Sequence, residues 1–426
     1  MATIAENIQT LRSIKSDIKN AIIQKGGSVT DAFGTYAQAI TNLPSGGGGG
    51  TEIEDALVMR ELSVYSNDRV SRVGDYAFYS YPALKSVDLP NCSSISKGAF
   101  GYCKSLSSIS LPLCSFIGID AFMACSALSS INLPLCEYID GYAFRFCKLL
   151  TSISLPKCLL ISRGVFEYCS ALSFIDLPNC SYVGNGAFQS SPNLVSFSLP
   201  LCEYVDYKAF QSCKLLSFVN LPLCTSISAE AFASCPALTS VNLPNCSFIS
   251  AYAFAFCYSL SYVNLPNCSL ISERAFQQCS VLTSIDLPKV TRFSEFAFLG
   301  CNALSNINLP ILSNVISRIF YKLPLLTINL PSCIHVSYAG FINCSSLSEV
   351  IIPICRTLED CAFSDCTNLT QVYLNSVTSV TRIYSNTFKN CPNLTSVYVP
   401  ASLVDAFKTA QYWSSISTKI VAYSEA

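Results

Sequence analysis

The chain has 426 residues and is 51% hydrophobic but only 12% charged, with 26 basic and 27 acidic side chains for a net charge of −1. That balance excludes the basic stripe that nucleic acid or an anionic lipid surface requires, so any ligand is met by neutral polar and aromatic groups. One histidine, no glycine-rich phosphate loop, no Gly-x-Ser-x-Gly elbow and no C-x-x-C pair give no basis for an enzyme, a cofactor or a metal site.

The chain opens with Ile4, Ile8, Leu11, Ile14, Ile18 and Ile22 at three- and four-residue steps, which predicts an amphipathic helix ended by Gly26-Gly27. A second short helix is expected from about Thr30 to Thr41, carrying Phe33, Tyr36, Ala37 and Ile40. Two such helices make too little core to stand alone and must pack on a second copy, a third copy or another protein. Residues 1–45 are therefore expected to be an attachment and oligomerisation module of a homo-oligomer, with a trimer as the expected form. Gly46 to Gly50 then form a flexible linker.

The run Ile14-Lys-Ser-Asp-Ile-Lys-Asn-Ala-Ile-Ile-Gln-Lys-Gly-Gly, with an aromatic helix and polyglycine after it, resembles the N-terminal part of tail appendage proteins of phages and prophages of gut bacteria. That resemblance implies attachment to other virion proteins and a virion location. Met1 to Thr10 lacks a basic stretch leading into an apolar run, and no segment approaches 18 continuous apolar residues. Neither a signal peptide nor a membrane span is expected, and folding is placed in a reducing cytoplasm.

Residues 51–75 carry Leu57, Val58, Leu62, Val64, Val70 and Val73 without a full repeat and are expected to cap the repeats behind them. From there cysteine falls every eleven residues, from Cys92 to Cys180 and, after Ser191, from Cys202 to Cys279. Two cysteine columns alternate, one in Leu-Pro-x-Cys and one in Ala-Phe-x-x-Cys, so the true period is 22 residues and the fold is a solenoid. The Leu-Pro proline recurs without an insertion from Pro90 to Pro310; Pro331 then comes one residue early, Pro353 is back in step, Asn375 replaces the proline, and Pro400 ends a longer coil. Fifteen coils are expected between Leu84 and Pro400; at about 4.8 Å per coil they span roughly 70 Å.

In one coil Leu106, Ile109, Leu111, Cys114 and Ile117 precede Ala121, Phe122 and Cys125. Ile109 and Leu111 alternate with Ser108 and Ser110, giving a short strand with one apolar and one polar face, and stacked coils then build a parallel sheet. The pattern resembles the leucine-rich repeat, with Cys114 at its asparagine-or-cysteine position, and the Ala-Phe-x-x-Cys half is similar to the BspA-like subfamily. The resemblance covers roughly residues 57–426 and implies an α/β repeat solenoid with one parallel sheet, each strand paired with an irregular or helical return, behind a small α-helical N-terminal module. Many BspA-like proteins are exported to cell surfaces, so a cell-surface adhesin or an intracellular interaction scaffold is the alternative to the virion reading. The solenoid is assigned to 76–400 and a C-terminal cap to 401–426, where Leu403, Phe407 and Trp413 face inward from a helix and Lys419 to Tyr423 supply a last strand.

The even count of 24 cysteines invites disulfides, but where a cysteine is missing its column holds Ser191, Val290, Leu312 or Leu323, and at Ser191 the cysteine is lost without Cys169 or Cys213 on either side of it. Small buried free thiols filling a column fit that behaviour. Cys361 and Cys366 are too weak a pair to suggest a metal, and His335 is expected to be a surface side chain.

Columns that vary between coils of equal length are free of the packing constraint. On the polar strand face Phe174, Phe218 and Tyr262 stand every second coil in a column of serines, beside Asp176, Asn220 and Asn264. These six are the candidate ligand-binding residues, presented to a bacterial surface protein or glycan on a concave face, in the way paratopes use tyrosine with serine. An aromatic packing ladder remains the other account of this column. Packing is the expected role of two further columns, Phe116, Tyr138, Tyr182, Tyr204 and Phe248, and Tyr102, Phe146, Tyr168 and Phe256.

Overall fold

The computed structural model describes residues 63–424. The helical module at 1–45 with Ile4 to Ile22, the polyglycine linker and the first part of the 51–75 cap lie outside the described residues.

Backbone ladders between coils build the parallel solenoid expected from the 22-residue period. Fifteen strands of three or four residues, from Val64–Ser66 to Ser396–Val399, together with the bridge from Ser110 to Asn132, mark sixteen coils. Neighbouring strands are parallel and in register at 22 residues, as Val87 against Ile109 and Val241 against Val263 show. The additional coil begins inside the expected cap, because Val64–Ser66 and Arg72–Val73 already pair in the same register.

In place of the one sheet expected there are two ladders. After each Leu-Pro turn the chain runs straight for two more residues, as in Phe116–Ile117, and eleven such strands form a second sheet from Arg72–Val73 to Arg292–Phe293. Two residues hold only one inward side chain, too short an alternation for sequence periodicity to register. The return side, among the described residues, is a run of turns rather than a helix, and two residues per coil take left-handed backbone angles there, among them Tyr142, Phe146, Lys208 and Ser212. Its N–H groups still reach the next coil, as Phe122 N–H does to the Ala143 carbonyl at 2.7 Å.

The core between these three sides is made of columns, each a side chain lying on its own counterpart. Phe78 to Phe298 form an unbroken stack of eleven rings with centroids 5.0–5.7 Å apart and planes within 13°. Such separations are set by the rise of one coil and leave the rings slipped, an arrangement aromatic pairs favour. A shorter stack of Phe320, Phe341, Phe363 and Phe388 ends on Trp413, which also meets Phe407 edge-on and donates its Nε1–H to the Thr381 carbonyl at 2.6 Å. The C-terminal end has a helix, Val404–Thr409, but of the three residues expected to face inward from it only Phe407 lies in it: half-buried Leu403 precedes it and Trp413 opens a separate 3-10 turn, Trp413–Lys419, before the final strand Ile420–Ala422 on Ser396–Val399.

All 24 cysteines carry free thiols, and 23 of them are buried. Each column has its own acceptor: Cys125 donates to the Phe100 carbonyl of the preceding coil at 3.0 Å, and Cys114 to the Phe116 carbonyl two residues on at 3.2 Å. Ser191 keeps the first of these bonds with its hydroxyl, 2.9 Å from the Phe166 carbonyl. Burial pushes Cys103, Cys180 and Cys391 up to about 11 and Cys114, Cys158 and Cys246 up to about 12.

A thiol whose pKa rises on folding contributes stability that is complete below its unfolded value, about 8.5, and lost as pH climbs toward the folded value. Thermal melts should therefore be flat through neutrality and fall steeply above about pH 8.5. At pH 7 a thiol reagent should reach no more than the half-buried Cys361, and all 24 thiols in denaturant.

Candidate functional site

The outward face of the three-residue strands is where sequence variation and exposure coincide. Phe174, Phe218 and Tyr262 are 43%, 47% and 59% exposed, each at the start of a strand whose central residue points into the core. Ser240 lies between Phe218 and Tyr262 in register, and Ser196 lies against Phe174. Two coils therefore separate successive rings, about 10 Å, too far for direct stacking.

One amide column runs beside this row. Asn242 donates to Asn220 and Asn264 donates to Asn242, both at 2.7 Å, and Asn308 donates to Asp286 at 2.7 Å. Asp176 accepts instead from the Ser154 hydroxyl at 3.3 Å. An amide can donate to one neighbour and accept from the other, which a carboxylate cannot do, and the ladder still leaves lone pairs and N–H groups turned to solvent.

The six candidates do not sit on one unbroken sheet. The strand ladder stops between Ser196–Ser198 and Phe218–Asn220, so Phe174 and Asp176 belong to a three-stranded segment and Phe218, Asn220, Tyr262 and Asn264 to a five-stranded one. At the break lies Phe197, in an inward column held by Ile or Val in most coils and by Tyr65 in the first; it stays only half-buried and packs on Phe210 with centroids 4.8 Å apart.

The other aromatic columns pack on themselves where two aromatics follow one another, whereas Phe248 lies between Ser226 and Leu270. Phe116 stacks on Tyr138 at 5.7 Å, Tyr182 on Tyr204 at 5.6 Å and Phe146 on Tyr168 at 4.9 Å. Tyr182 also donates its hydroxyl to Asp206 at 2.8 Å, and burial together with that carboxylate pushes its pKa up to about 12. His335 is half-buried and paired: its Nε2 lies 3.0 Å from a Glu359 oxygen, and the other oxygen accepts from the Tyr338 backbone N–H. Among the described residues no three His, Cys, Asp or Glu side chains are grouped to hold a metal, and no helix is long and apolar enough to cross a membrane.

Sequence reasoning passed over a further exposed column. The residue after the turn proline is Leu113, Leu135, Leu201, Leu223, Ile311 or Ile354 in six coils, all more than a third exposed, and Asn, Lys or Ser in others. Its signal was the variability of that position, which lies beside the strand face.

A family profile described as "BspA type Leucine rich repeat region (6 copies)" matches residues 93–217, 225–348 and 334–423. The chain belongs to the BspA-type leucine-rich repeat family. A leucine-rich repeat protein of Bacteroides ovatus shares the fold at 22% identity, with 85% of this chain and 92% of that one covered and a TM-score of 0.59. A leucine rich cell surface protein of Faecalibacterium prausnitzii aligns at 20% identity over 84% and 90% of the two chains with a TM-score of 0.39, and a leucine-rich repeat protein of Eubacterium ventriosum at 17% over 78% and 91%, again at 0.39. Curated proteins gave no match. Leucine-rich repeat proteins are in general binding scaffolds rather than enzymes, and nothing points to an enzymatic family.

The amide column makes a sharp expectation. Asn264→Asp would set a second carboxylate beside Asp286, its register partner in the next coil. Like charges directly across a ladder cost up to about 1 kcal/mol. The variant should melt lower than the parent at pH 7 and low salt, and the gap should narrow in about 1 M salt, which screens the pair.

Proposed function

We propose that the solenoid is a non-enzymatic recognition rod that contacts a bacterial surface protein or glycan through its three-residue strand face. The observation that carries this reading is the row Phe174, Phe218 and Tyr262, large rings left exposed on a strand face otherwise lined by serine, asparagine and aspartate. Rings that do not touch one another gain nothing from that exposure in the free protein, whereas burial against a partner would remove their apolar surface from water. Asp176, Asn220 and Asn264 would supply the directional bonds beside them.

The rod is the receptor-recognition part of a phage or prophage tail appendage in this reading, held to other virion proteins and to its own copies through Ile4, Ile8, Leu11, Ile14, Ile18 and Ile22. The sequence of the N-terminal segment and the polyglycine between it and the rod support this division of labour. Family membership favours a second reading, a BspA-like cell-surface adhesin or protein-interaction scaffold that uses the same face.

The purified chain should bind whole gut-bacterial cells or a glycan array, and Phe174→Ala, Phe218→Ala, Tyr262→Ala should abolish that binding while leaving the melting temperature nearly unchanged. Unaltered binding by the triple variant would remove the aromatic row from the site. In light scattering the full chain should be oligomeric and deletion of residues 1–45 should release a monomer; a full-length monomer would overturn the attachment role. Binding to a host cell-surface protein with none to bacteria would favour the second reading.

A further inference from the structure

The strand face is interrupted again two coils beyond Tyr262, here with a change of register. In regular coils the second cysteine column is separated from the next leucine by two residues, as in Cys301-Asn302-Ala303-Leu304; one coil later the same link is Leu323-Pro324-Leu325, one residue shorter. The register accordingly drops from 22 to 21, as the pair Asn314 and His335 shows. The three-residue ladder does not survive the change: Asn306–Asn308 is the last strand of one sheet segment and Thr327–Asn329 the first of the next.

The two strands nevertheless stay close, because bonds persist at either end. Leu326 N–H reaches the Ser305 carbonyl at 3.3 Å, and the Ser332 hydroxyl reaches the Pro310 carbonyl at 2.9 Å. Between these clamps a cleft of about 370 Å³ opens on the strand face, lined by Asn306, Asn308, Thr327 and Asn329 with Pro310 and Pro331 at its end and Ile307 at its floor. Its volume is within the range of small-molecule sites, about 300–1,000 Å³.

The lining selects the ligand. No charged side chain lines the cleft, so neither a phosphate nor a carboxylate finds a counter-ion there. A peptide strand cannot join the ladder here, since insertion between two strands needs about 9.6 Å where the clamps hold one ladder spacing, so a ligand must lie on the side chains of the strand face. Three amides and a hydroxyl each offer a donor and an acceptor, the complement of vicinal hydroxyl groups, and the two prolines present apolar ring faces. Asn308 keeps its carbonyl oxygen and one N–H for a ligand after donating to Asp286.

We propose that this cleft is a saccharide subsite, taking one or two neutral sugar rings, created by the one-residue shortening at Pro324. It goes beyond the recognition role proposed for the rod, because it needs neither the aromatic row nor the N-terminal segment.

The test uses the full chain with three neutral disaccharides, maltose, lactose and N,N′-diacetylchitobiose, at millimolar concentration in saturation-transfer NMR. At least one should receive saturation, and Asn308→Leu with Asn329→Leu should weaken its binding tenfold or more. A second variant inserting one alanine after Pro324, which restores the two-residue link and closes the ladder, should lose binding while melting no lower than the parent. The Phe174, Phe218, Tyr262 triple variant should bind as the parent does, which separates this site from the aromatic row. No saturation of any of the three sugars, or binding by the double-leucine and insertion variants equal to the parent's, would overturn the proposal.

Discussion

Everything in this rod depends on one constraint: the backbone ladder repeats at 22 residues with a rise of about 4.8 Å, so the nearest neighbour of most side chains is the same position one coil away. Residues that tolerate their own copy at that distance are favoured, and residues that repel it are not. Like charges roughly 5 Å apart cost about 1 kcal/mol in bulk water and several times that near a protein surface. That penalty accounts for a chain only 12% charged, and for the pairs that do occur. Arg145 meets Glu167 of the next coil at 2.7 Å, and Lys208 meets Glu230 at 3.5 Å. On the strand face Asp88, Asp176 and Asp286 each lie between uncharged neighbours.

The same constraint explains the serines. Ser107, Ser173 and Ser261 donate their hydroxyls to the carbonyl of the residue 22 positions earlier, and Ser115, Ser181 and Ser247 do the same beside the second ladder. Each hydroxyl doubles a bond the backbone already makes between those coils. The cysteines play the buried version of this part. A thiol is small enough to repeat on itself, apolar enough to be buried, and still reaches a second lone pair of a buried carbonyl. Serine, valine and leucine can replace it because the acceptor is a backbone carbonyl of the same or the preceding coil and no partner thiol is left unpaired, which a ladder of disulfides would not permit.

Much of this was legible in the sequence because the period copies the coil many times over. Leu106, Ile109, Leu111 and Phe122 named the core, and Trp413 and Phe407 named the cap, since large apolar residues at fixed spacing have no alternative burial. The second ladder was not legible, because Phe116 and Ile117 show a single inward residue and the aromatic in front of it looks like an ornament. Nor was the break at Phe197. An aromatic in that column does not by itself part the strands, since Tyr65 stands there in the first coil and its strand still pairs with the next. The early Pro331 was visible, but a one-residue deletion does not say which of three sides will open.

A perfectly periodic surface offers a ligand no unique address. Any site built from the repeat alone recurs every coil, and a partner could slide along it by one rise at no cost. Specific recognition therefore has to draw on what breaks the copying: side chains that change from coil to coil at constant register, and places where the register itself changes. The chain has both on one face. Phe218 and Tyr262 vary a column without disturbing the ladder beneath them, that ladder stops after the strand of Phe197 and again at the shortened link at Pro324, and the 25-residue step from Gln371 to Ser396 lengthens the repeat. A row spaced by two coils also continues, two coils past Tyr262, to Asn306 at the edge of the open cleft. Aperiodic features confined to one column of one face are what a rod needs to hold a partner in a single position along its length.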